Sequence, residues 1–153
     1  MLSPPMEEFF AHHSLLALFL LSFLASTLIP LGSEWLLISL LVQGTDPVLA
    51  VGSATAGNTL GAFTTYLIGL YGGDYLIRKV LRIDEIAQQR AGRTYRRYGS
   101  WSLLFSWLPV IGDPLCLVGG LLKVGFARFA LLVCIGKLGR YLTVCWLTLN
   151  LAG

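Results

Sequence analysis

The sequence predicts an all-α integral membrane protein with about three full transmembrane helices plus two facing re-entrant helical hairpins in an inverted repeat. Three observations predict it. The 153 residues are 56% hydrophobic and 12% charged, with a mean hydropathy of +0.74, against roughly 25% charged in an ordinary soluble domain. Uncharged stretches of two lengths, one sufficient to cross a bilayer and one about half that, follow one another along the chain. The chain also matches itself when shifted by 79 positions. Residues 1–153 therefore read as a single membrane domain, with repeat halves at about 9–73 and 98–153 and a basic linker helix at 74–97. A chain this short makes a transport pathway only as a homo-oligomer or by enclosing a half-length passage.

Residues 9–33 carry no formal charge and predict a first span, with His12 and His13 near its interfacial start. With Glu7 and Glu8 and no basic residue ahead of it, this run reads as a retained membrane segment rather than a signal peptide. Pro30, Gly32, Ser33 and Glu34 interrupt it. The next apolar run, 35–45, is eleven residues long, or about 16 Å of helix, roughly half the hydrocarbon thickness. Such a segment dips in and returns. Residues 47–73 are again uncharged and predict a full span whose small residues recur at every fourth position: Ser53, Gly57, Gly61, Thr65, Gly69 and Gly73. In lipid that stripe lets a neighbouring helix approach closely. Residues 98–112 and 115–122 are each too short to cross, and 126–153 is long enough but holds Lys137 and Arg140 near its middle.

The 79-residue shift places Ile29, Pro30, Glu34, Leu36 and Ile38 on Leu108, Pro109, Asp113, Leu115 and Leu117, and Gly57 and Asn58 on Gly136 and Lys137. Pro30, Pro109, Gly112 and Pro114 read as the re-entrant breaks, since proline removes a backbone donor and interrupts a helix. Seven of the eleven basic residues, Arg78, Lys79, Arg82, Arg90, Arg93, Arg96 and Arg97, lie in the linker. The positive-inside rule puts that loop in the cytoplasm. The apolar residues interleaved with it favour a helix lying on anionic lipid headgroups over a nucleic-acid patch. Alternating crossings then put the N-terminus inside and the C-terminus outside, with the two dipping elements entering from opposite faces, the plan of inverted-repeat transporters.

Four charges remain at membrane depth. Glu34 and Asp113, at the tips of the two dipping elements, have a functional reading as a proton and substrate pathway with Asn58, because a carboxylate withdrawn from water exchanges its charge for a proton. Their bland reading is as helix caps, or as structural partners of Lys137 and Arg140. Lys137 and Arg140 share a helix face. They suit an anionic headgroup, with the guanidinium fork matching phosphate, or else simply neutralise the two acids. Cys116, Cys134 and Cys145 read as small buried hydrophobes. No metal-ligand spacing, cofactor motif or hydrolase signature is present, and no enzymatic activity is expected.

The stretches STLIPLGSE (26–34), GNTLG (57–61), SWLPVIGDPLC (106–116) and GKLGRY (136–141) resemble the YqaA-like branch of the DedA, or VTT (SNARE-associated), membrane proteins. The resemblance covers nearly the whole chain. It implies a bacterial inner-membrane protein with two facing re-entrant hairpins, in a superfamily linked to undecaprenyl phosphate recycling and phospholipid scrambling. Family acids correspond to Glu34 and Asp113. Where the main DedA branch carries two arginines around the second proline motif, this chain reads Ser106 and Gly112, and Lys137 and Arg140 are inferred to replace them. The expected function is a lipid translocase for an anionic or phosphorylated lipid, coupled to protons. A noncatalytic membrane scaffold, or an assembly or homeostasis factor, is the alternative.

Overall fold

The computed structural model describes residues 4–27, 32–72, 85–108 and 111–152. Pro30, Pro109, Arg78, Lys79 and Arg82 lie outside them. The described residues are all-helical: α1 (Pro4–Ala25), α2 (Ser33–Val42), α3 (Pro47–Tyr71), α4 (Glu85–Tyr98), a 3₁₀ segment (Gly99–Trp107), α5 (Gly112–Leu121) and α6 (Phe126–Ala152). Among them α6 is long and apolar enough to cross a bilayer, over Phe126–Leu151. Among the described residues, His13–Ala25 of α1 forms a shorter apolar stretch. The 25 uncharged residues of α3 are diluted by Gly, Ser, Thr and Asn.

Local chemistry sets the ends of these helices. Asp46 caps α3, its carboxylate accepting from Val48 N at 2.8 Å and Leu49 N at 3.1 Å, with Pro47 behind it where no amide donor is required. Gly32 stands before α2 at φ 62°, a left-handed conformation that a side chain resists. Gly112 and Pro114, read from sequence as breaks, stand where the chain passes from the 3₁₀ segment, which ends at Trp107, into α5. Both lie in the first turn of α5 with Asp113 between them. There a proline costs no hydrogen bond and an acid meets the positive end of the helix dipole.

The small-residue stripe of α3 receives α1. Ser53 Oγ donates to Leu15 O at 2.7 Å and Thr65 Oγ1 to Ser26 O at 3.2 Å. Between them, Gly57 and Gly61 face the Phe19 and Phe23 carbonyls so closely that a Cβ at either position would collide with them. Residue numbers rise together on both helices, so α1 and α3 run parallel. That overturns the expected alternation, in which a first span over 9–33 ran opposite to 47–73 and put the N-terminus at the other face. Instead α1 ends beside Thr65 and the chain turns. α2 then runs back to the start of α3, making α1 and α2 the arms of one hairpin.

On the other side of α3, α6 runs antiparallel. Tyr66 stacks on Phe129 with ring centroids 4.3 Å apart, and Asn58 reaches Lys137 and Tyr141. α5 crosses α3 at two glycines, Gly69 against the Leu117 carbonyl and Gly120 against that of Tyr66. Two apolar clusters result. One, around Tyr66, Leu103, Leu115 and Phe129, also takes Ala91 and Tyr95 of α4. The other gathers Leu18, Leu37, Ala50 and Cys145 toward the Pro47 end. Outside, large apolar side chains are exposed along α1 (Leu16, Leu20, Leu24), α3 (Leu60, Leu67) and α6 (Leu131, Ile135, Leu142, Trp146). An apolar exterior on this scale is the surface of a protein solvated by lipid. Cys116 and Cys145 are buried as expected, whereas Cys134 is exposed on that exterior.

Candidate functional site

Between the two apolar clusters lies a layer of buried polar side chains, Ser26, Ser33, Asn58, Ser106 and Lys137. Each comes from a different stretch of chain. The turn after α1 supplies Ser26, the first turn of α2 supplies Ser33 and Glu34, and the middle of α3 supplies Asn58. The end of the 3₁₀ segment gives Ser106, the first turn of α5 gives Asp113, and the middle of α6 gives Lys137, Arg140 and Tyr141. The four charges singled out by sequence are thereby brought together.

They form two acid–base pairs. Arg140 pairs with Glu34, each side chain 22% exposed, and its Nη1 donates to the Trp107 carbonyl at 3.0 Å. Lys137, with a side chain 4% exposed, stands 3.9 Å from Asp113 Oδ1. Its ammonium donates to Ser26 Oγ at 3.1 Å and to Asn58 Oδ1, and Ser26 Oγ in turn donates to Asp113 Oδ1 at 3.1 Å. Asn58 Nδ2 donates to Tyr141 Oη at 2.7 Å, and Tyr141 lies 2.7 Å from Ser33 Oγ. Because Lys137 has donors only, it fixes the Asn58 amide with oxygen inward and nitrogen toward Tyr141. One hydrogen-bonded chain thus runs from Asp113 to Ser33, the residue before Glu34.

Two cavities adjoin these pairs. A small polar one of about 30 Å³, room for one or two waters, is lined by Ser26, Asn58, Ser106 and all four charged residues. A larger groove of about 730 Å³ is walled by Leu104, Trp107, Ile135, Thr143 and Val144, and again by Glu34 and Arg140. Of the linker arginines, Arg90, Arg93, Arg96 and Arg97 are exposed on α4.

Sequence reading missed Tyr141, Ser26 and Ser33 as members of this network, although each stands at the edge of a motif. Their signal was polarity next to a helix break or beside a buried cation. Tyr141→Phe keeps the fully buried ring but leaves Asn58 Nδ2 and Ser33 Oγ short of a partner. We expect a loss of about 1–3 kcal/mol, seen as earlier unfolding in a detergent denaturation series. Unfolding at the wild-type midpoint would show that the hydroxyl carries no load.

A bundle with an apolar exterior, an inner polar layer and paired charges at its centre defines a class of membrane protein, and comparison with known proteins gives the family. The VTT domain matches residues 29–149. The chain is 38% identical to the inner membrane protein YqaA of Escherichia coli (strain K12) over 138 residues, covering 90% of this chain and 92% of that one. The same figures hold for YqaA of Shigella flexneri. An uncharacterized protein of Haemophilus influenzae is 35% identical over 153 residues, 92% of this chain and 91% of that one. No solved structure gives a significant match. The protein belongs to the VTT-domain, or DedA, family of membrane proteins.

Proposed function

We propose that the protein is a lipid translocase of the bacterial inner membrane, moving an anionic or phosphorylated lipid with coupled protonation of Glu34 and Asp113. The observation that carries this reading is the two acid–base pairs around one central cavity, in a bundle whose outer surface is apolar. Intramembrane charges are costly and rarely kept without a task. The location follows the name of the YqaA relatives. With the 74–97 stretch in the cytoplasm, α3 runs inward and α6 returns, and both termini face outward. Lys123 and Arg128, at the α5–α6 turn, then share the cytoplasmic side with α4, while Glu7, Glu8 and Asp46 lie at the opposite end.

The same reading makes α1–α2 and the 3₁₀ segment–α5 two re-entrant hairpins of an inverted repeat. Asn58 touches Lys137, its counterpart at the 79-residue shift. Residues related by a two-fold axis touch only close to that axis. Glu34 and Asp113 are likewise counterparts, each in the first turn of a ten-residue helix. A transporter of this plan places its site at the repeat interface.

In proteoliposomes holding a fluorescent anionic phospholipid, Glu34→Gln and Arg140→Ala are expected to slow lipid flipping about tenfold or more, the kinetic equivalent of losing one charge-assisted bond. The pairing of every central charge favours a second reading, a noncatalytic scaffold or an assembly and homeostasis factor. Undiminished flipping in both folded variants selects it.

A further inference from the structure

We propose that the groove between the 3₁₀ segment and α6 is a lateral phospholipid site, in which the headgroup phosphate takes the place of Glu34 on Arg140 while an acyl chain lies along the groove. The inference deepens the translocase reading and rests on it for its purpose. The Glu34–Arg140 pair lines both cavities, the 730 Å³ groove and the 30 Å³ polar chamber. It is therefore the wall between a surface that lipid tails reach and the inner layer holding Asp113 and Lys137. Among the described residues, only this pair is charged in the groove; the remaining walls, Leu104, Trp107, Ile135, Thr143 and Val144 among them, are largely apolar.

Charge complementarity selects the occupant. A guanidinium presents a planar fork that fits two phosphate oxygens as well as it fits a carboxylate. The Arg140 side chain is held in place from behind by its bond to the Trp107 carbonyl. When Glu34 gives up its charge to a proton, Arg140 retains its own and turns to the next anion available at the groove, a phosphate whose lipid tail is already seated there. From Ile135 to Val144 the groove follows α6 for about 14 Å, enough for much of an acyl chain. Gly139 keeps this stretch open, since a Cβ built there meets nothing within 4 Å.

The test uses Trp107 as reporter, with Trp35, Trp101 and Trp146 changed to Phe, in phosphatidylcholine vesicles doped with a lipid carrying a dibrominated acyl chain. Dibrominated phosphatidic acid is expected to quench Trp107 at about tenfold lower mole fraction than dibrominated phosphatidylcholine, as one charge-assisted contact predicts. Arg140→Gln should erase that preference. Gly139→Leu, which fills the groove without meeting the backbone, should weaken quenching by phosphatidic acid and keeps the test open if Arg140→Gln does not fold. Equal quenching by the two lipids, or a preference that survives both substitutions, overturns the site. The two readings separate cleanly: flipping that persists with equal quenching removes this site alone, whereas a clear preference without flipping removes the translocase and leaves the site.

Discussion

Lys137→Met should lower the unfolding free energy in detergent by about 1–3 kcal/mol, because the buried Asn58 carbonyl oxygen loses its donor and Asp113, its side chain 30% exposed, loses the neighbouring cation. The thioether fills most of the space of the lysine stem but accepts only weakly and carries no charge. Asp113 would keep its bond from Ser26 yet lose the cation 3.9 Å away, and Asn58 Oδ1 would lose its donor. A double substitution distinguishes this cause from simple mispacking. Lys137→Met with Asp113→Asn removes both charges and should cost clearly less than the sum of the single changes, since groups in one network couple by 0.5–3 kcal/mol or so. Strictly additive losses in the four-variant cycle would sink the account of a charge left behind.

Gly57→Val should be comparably damaging for a reason unconnected with charge. A side chain at Gly57 drives into the Phe19 carbonyl, which is helix backbone and has no rotamer to move into. α1 must then separate from α3, taking with it the Ser53–Leu15 and Thr65–Ser26 bonds that hold the register. Overpacking of this kind costs about 1–3 kcal/mol or more. Gly52 is the control, lying on the same helix with nothing within 4 Å of a built Cβ. Gly52→Ala should be neutral or stabilising by about 0.5–1 kcal/mol, the ordinary helix preference for alanine. The check is the pair of melting temperatures; a Gly57 variant as stable as the Gly52 variant would mean that α1 does not approach α3 at this stripe.

These two predictions rest on features that differ in how far they could be read from sequence. The glycine stripe was visible at once, because a four-residue spacing of small side chains has one physical use in lipid. The direction of the helix that would occupy it was not. Parity counting has α1 run opposite to α3, but the side-chain hydroxyls of Ser53 and Thr65 set a parallel register. Helix ends show the same division. Asp46–Pro47 announces the start of α3 locally. Pro114, by contrast, marks an interruption or a first turn equally well until its neighbours are placed, and here it is a first turn.

Sequence alone determined the membrane class of this protein, its helical class, the proline-spaced self-match at a 79-residue shift and which four charges interrupt its apolar stretches. Each of these follows from composition or spacing, properties that survive in one dimension. Tertiary structure decided who pairs with whom: Glu34 with Arg140 at the edge of the apolar groove, and Asp113 with Lys137 inside, linked through Asn58 and Tyr141. Glu34 and Arg140 lie 106 residues apart in the chain, and Asp113 and Lys137 lie 24 apart. Their pairings depend on how closely backbones approach at glycines and on which way a turn sends the chain, and neither is written in the spacing of charges.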